Sequence, residues 1–110
     1  MIRVLILKQN NSTVAIEVSG HSGYAQAGAD IVCSAVSTLV QNLTLSLTTL
    51  LKIEPIVKLE EEPPFYSVTL PPLSAKQKES AQLLINSTCL GLKDIANQYK
   101  KYISIKEKNK

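Results

Sequence analysis

From Val32 to Leu51 the chain carries one apolar repeat at three- and four-residue steps: Val32, Val36, Leu39, Leu43, Leu47, Leu50 and Leu51. Steps of that kind gather side chains on one stripe of an α-helix. The sequence therefore predicts a helix from about Ile31 to Leu51, and its stripe must be covered by another layer. Asp30 stands just before it as the expected N-cap. Pro55 closes the segment, because proline pushes the residue before it out of the helical region. Cys33, Ser37, Val40 or Gln41, and Thr44 fall on a neighbouring, more polar stripe. Cys33 is thus expected in the first turn and beside the core face, with Ser37 one turn further on.

The covering layer is readable on both sides of this helix. Residues 2–8 alternate as a strand with apolar positions on both faces, so the strand is expected to be central and covered. Gln9-Asn10-Asn11-Ser12 has turn composition, and Thr13 to Ser19 is the return strand of a hairpin. After the helix, Ile56 to Glu61 and Phe65 to Leu70 read as two more strands around the turn Glu62-Pro63-Pro64. Ser74-Ala75-Lys76-Gln77 fits a capping box and opens a second helix, with Ala81, Leu84, Ile85, Thr88, Leu92, Ile95 and Tyr99 as its stripe. Leu83 and Leu90 lie off that stripe and either pack under a loop or meet another subunit. Residues 102–105 form a last short strand, and Lys106 to Lys110 are expected to fray as a basic tail. The order is β-β-α-β-β-α-β. The expected fold is α+β, a small, mostly antiparallel sheet with two long helices on one face, within a single domain over residues 1–105.

Composition narrows the function classes. A chain of 110 residues has room for one core, and with no Trp and one Phe that core must be largely aliphatic. The net charge of +3 is mild and gathers partly in the last eleven residues, so direct nucleic-acid binding is not expected. No apolar run reaches the roughly 20 residues of a membrane span, and the N-terminus reads as a strand, not a leader. A cytoplasmic protein with reduced thiols, and without a membrane partner, is the expectation. One His and two distant Cys do not make a metal-ligand set, and no glycine-rich phosphate loop is present. No cofactor is expected. Glu60-Glu61-Glu62 closes the third strand as an acidic cluster that could attract a basic partner at long range, or simply be a charged strand end.

The remaining chemistry is concentrated between residues 20 and 37. The single histidine, His21, opens a loop marked by Gly20, Gly23 and Gly28, and Cys33 follows close behind. The thiolate is the reactive form of cysteine, and unpaired amides at a helix start would favour it and could receive an oxyanion. His21 would act as base, and then as acid toward a leaving amine. Asp30 could orient the imidazole, in competition with its capping role. A cysteine in a helix is also a common packing residue, and a loop histidine is commonly solvated, so spacing alone leaves both readings open. Cys89, in the middle of the second helix, reads as packing.

The run Gly20-His21, a spacer with Gly28, then Asp30-Ile31-Val32-Cys33-Ser34-Ala35-Val36-Ser37 resembles the ribosomal-processing cysteine protease (Prp) family. So does the ending Gly91-Leu92-Lys93-Asp94-Ile95-Ala96-Asn97-Gln98-Tyr99 with Tyr102-Ile103. The resemblance implies a homodimeric α+β cysteine endopeptidase. Its substrate would be the precursor of large-subunit ribosomal protein twenty-seven, which loses its N-terminal extension during ribosome assembly. It also implies Cys33 as nucleophile and His21 as its partner, with Asp30 and Ser37 supporting. Gly20, Ser22, Gly23, Tyr24 and Gly28 would belong to a loop that closes over the peptide. The family substrate carries aromatic residues just before the cut, which calls for an apolar groove beside the first helix. Family members often have Ala where this chain has Ser22 and Ser34. The rival expectation is a ribosome-associated module that binds a peptide or an anion without catalysis, with Cys33 only packing.

Overall fold

The computed structural model describes residues 1–20 and 27–110, the side chains of residues 27–30 excepted. Seven elements follow the expected order. They are β1 (Ile2–Gln9), β2 (Ser12–Ser19), α1 (Ala27–Leu50), β3 (Ile56–Glu61), β4 (Pro64–Thr69), α2 (Ala75–Gln98) and β5 (Ile103–Asn109). The strands form one sheet in the order β3-β4-β2-β1-β5. All its pairings are antiparallel except β1 with β5.

Local chemistry accounts for the joints. Asn10 and Asn11 both take positive φ, at 52° and 66°, as the two-residue hairpin between Gln9 and Ser12 requires. Ser74 caps α2 through a complete capping box with Gln77. The stop of α1 is earlier and more local than Pro55. Lys52 turns left-handed at φ 56°, and the Ile53 amide donates to the Leu47 carbonyl at 2.9 Å.

The core lies between the helices and one face of the sheet. Ile2, Val4 and Ile6 of β1, Ile16 of β2 and Val68 of β4 meet Val32, Val36, Val40, Leu43 and Leu47 of α1 and Ala81, Ile85 and Leu92 of α2. The helices approach closely where Gly91 faces Leu39; a Cβ at Gly91 would stand 2.9 Å from the Leu39 Cδ1. Ile31–Leu50 has the length and mean hydropathy, 1.4, of a membrane-crossing helix, which the sequence reading did not expect. Its deepest apolar residues are taken up by the sheet, and Ser34, Ser37, Thr38 and Gln41 are exposed.

Three expectations are corrected. β1 is covered on one face only, since the two helices share one side, and Arg3 on the other side is exposed. Residues 106–109 do not fray. They continue β5 in parallel register with β1, and the Lys110 amide donates to the Lys8 carbonyl at 2.7 Å. Backbone pairing and the Lys93–Glu107 ion pair at 2.8 Å hold this basic segment in place. Finally, α1 begins at Ala27 instead of Ile31. Asp30 is therefore the fourth residue of the helix and not its N-cap.

α2 is tied to the β1–β2 hairpin by a side-chain clamp. The Thr13 amide donates to Gln82 Oε1 at 3.0 Å, and Gln82 Nε2 donates to the Thr13 carbonyl at 2.7 Å. The Thr13 hydroxyl donates to Asn86 Oδ1 at 2.7 Å. These bonds satisfy a buried strand residue beside the register shift at Leu7/Lys8.

Candidate active site

The site is built where β2 ends and α1 begins. Gly20 closes β2 at φ +78°, and its amide donates to the Pro64 carbonyl at 3.2 Å. A Cβ at Gly20 would stand 2.5 Å from the Met1 carbonyl oxygen, so only glycine fits both the dihedral and the space. The chain's single histidine is thereby launched from a fixed point. His21, Ser22, Gly23 and Tyr24 lie outside the described residues, and so does any distance from His21 to Cys33. Gly28 and Asp30 lie in the first four residues of α1.

Cys33 is the seventh residue of α1 and lies in its second turn. The expectation of a first-turn thiol is corrected by the earlier helix start. The dipole of a helix end and its unpaired amides act within the first turn, so they do not act at Cys33, whose amide belongs to the helical ladder. Cys33 is half-buried at the edge of the core. Ser37, one turn on, is exposed, and Thr44 lies on the same side of the helix.

That side of α1 faces the β3–β4 hairpin across a groove of about 190 Å³. Ser37, Val40 and Gln41 form one wall, Leu59, Phe65 and Tyr66 the other, and Gly20 stands in the lining too. The groove is thus apolar and aromatic beside the polar stripe that carries Cys33. Tyr66, which the sequence did not single out, fixes the two walls. Its hydroxyl and Thr44 Oγ1 share a hydrogen bond at 2.6 Å. An alternating Tyr on a strand facing a helix with one Thr in its polar stripe was the available signal.

Cys89 is the contrasting thiol. It is 6% exposed in the core, and burial pushes its pKa up, against the lowering fields of Lys93 and Lys8. The two cysteines are not joined in a disulfide. Among the described residues no three of His, Cys, Asp and Glu converge on a possible metal site.

The comparisons with known proteins agree with one another. The family model described as Cysteine protease Prp matches residues 1–104. A Bacillus subtilis protein, the ribosomal processing cysteine protease Prp, is 28% identical over 102 residues, which span 91% of each chain. The crystal structure of SMU.848 from Streptococcus mutans matches with a TM-score of 0.90 at 28% identity, covering 100% of this chain and 96% of that one. The ribosomal processing protease Prp from S. aureus, solved in complex with a substrate peptide, matches with a TM-score of 0.85 at 19% identity, covering 98% of this chain and 100% of that one.

Proposed function

The chain belongs to the cysteine protease Prp family and is a cysteine peptidase, and from that premise we propose that it removes the N-terminal extension of large-subunit ribosomal protein twenty-seven. The observation that carries this reading is the groove between α1 and the β3–β4 hairpin. Leu59 and Tyr66, on the helix face of the hairpin, give it an apolar wall with one aromatic ring that suits a peptide with aromatic residues just before the cut, and the helix that forms its other wall carries Cys33.

Cys33 is the nucleophile and His21 the base in this proposal. His21 takes the thiol proton, and Cys33 Sγ adds to the scissile carbonyl. The C–N bond then breaks, and the same proton goes to the leaving amine. Water hydrolyses the thioester, releasing the new carboxylate and restoring the thiol. The approach of His21 to Cys33 is therefore part of the chemical step in this proposal. Asp30 and Ser37 support the dyad from α1, with Asp30 now assigned to His21 and no longer to the helix cap.

The reaction is placed in the cytoplasm, where the ribosomal precursor is made. The working unit is a homodimer, and its contact is assigned to Leu83 and Leu90 of α2. These are 75% and 70% exposed and seven residues apart on one helix face. Incubation with the extended ribosomal protein, read by mass, tests the activity. The wild type yields the shortened product. A Cys33→Ala chain that trims at the normal rate rules out the assigned nucleophile. Intact substrate after long incubation with the wild type rules out the assigned substrate.

A further inference from the structure

The two edges of the sheet are built differently. β5 carries Lys106 and Lys108, both exposed, and edge lysines are a common device against further strand pairing. β3 has one lysine, Lys58, among six exposed residues. Its apolar residues Ile56, Val57 and Leu59 are 50%, 41% and 69% exposed. Val57 pairs with Val68 and Leu59 with Tyr66, so both project on the helix side, and Leu59 enters the groove wall. The strand ends in Glu60 and Glu61, and Glu62 opens the turn that follows, at the end of the sheet where Pro64 holds Gly20.

We infer that the β3 edge receives the peptide substrate as an added strand, with Glu60–Glu62 holding its basic residues. The inference rests on the peptidase reading above and names the surface that presents the chain to it. Three observations converge. The edge is continuous with the groove through Leu59 and Glu60. It ends beside the launch point of His21. Its acidic end complements the lysines and arginines by which ribosomal proteins bind RNA phosphates. An added strand donates and accepts through its backbone, and its alternate side chains reach the groove. Strand addition of this kind tolerates varied sequence while fixing register.

The probe is a synthetic peptide spanning the extension and first mature residues of the same organism's ribosomal protein twenty-seven. A series carries one backbone N-methyl group at each successive position. Binding is read by fluorescence anisotropy on the Cys33→Ala chain, and cleavage by mass on the wild type. N-methylation at alternate positions weakens binding by about fivefold to tenfold, and the positions between them are silent. The combined Glu60→Gln, Glu61→Gln and Glu62→Gln chain binds the parent peptide more weakly and with a shallower salt dependence. No two-residue period, or no binding, overturns the edge. So does an inert series accompanied by a dimer that Leu59→Lys converts to monomer, which assigns the edge to a second copy. A period with no cleavage keeps the edge and rejects the peptidase substrate.

Discussion

Cys33 and Cys89 are the same side chain on two helices of equal length, 24 residues each, yet the fold gives them opposite conditions. Cys89 points into the aliphatic core, where burial penalises the thiolate. Cys33 sits on the border between the buried stripe of α1 and the polar stripe that borders the groove. The difference is one of angle around the helix, not of sequence neighbourhood. A thiol on the stripe is packing; a thiol beside it lies at the edge of the core. The proposed nucleophile, Cys33, is of the second kind.

The largest test of this contrast is activity. Cys33→Ala should lower kcat by at least about a thousandfold, while Cys89→Ala leaves kcat/KM unchanged. Comparable losses in both chains would erase the distinction. Next comes reactivity. An alkylating reagent near neutral pH should label Cys33 at least about tenfold faster than Cys89, because Cys89 reacts only through opening of the core. Mapping the adduct by mass at early times decides it. In stability the order reverses. Cys89→Ala should destabilise by about 1 kcal/mol in urea unfolding, and Cys33→Ala by less.

The smallest effect is pH-dependent. The folded state holds the Cys89 thiol protonated to higher pH than the unfolded chain does. Between the unfolded and the folded pKa the native state thus binds more protons, and stability declines as pH rises through that window. The contribution is fully present below the unfolded thiol pKa. Urea midpoints from pH 7 upward should fall more steeply in the wild type than in Cys89→Ala. Parallel slopes would mean that burial of this thiol does not matter to folding.

Most elements were legible because their signals are local. The 3.6-residue stripes gave both helices, alternation gave the strands, and the Asn pair and the Ser74 box gave a turn and a cap. The failures have two causes, an ambiguous local signal at the start of α1 and distance in sequence elsewhere. The start of α1 was missed because Gly28 reads as loop, yet Ala27 and Ala29 carry the helix back past Asp30. An acidic residue suits a first helical turn as well as a cap. β5 was cut short because its lysines suggest a tail, and only pairing with β1, about one hundred residues away in sequence, makes them a strand. The groove needed α1 and the β3–β4 hairpin side by side, so the bond from Thr44 to Tyr66 could not be read from either alone. The His–Cys pairing rests on residue type and family resemblance alone; what the fold changed is the place of Cys33, in the second turn of α1 instead of the first.

The close contact between Gly20 and the Met1 carbonyl has a practical consequence. β1 starts at the groove end of the sheet, and β5, in parallel, carries the C-terminus to the far end beside Lys8. Anything fused ahead of Met1 emerges next to Gly20, the residue before His21. Anything fused after Lys110 emerges on the opposite side of the molecule. A purification handle therefore belongs at the C-terminus. Conversely, a cleavage sequence joined to Met1 through a flexible linker would be tethered at high effective concentration beside the groove, turning a weakly bound substrate into a sensitive single-chain reporter.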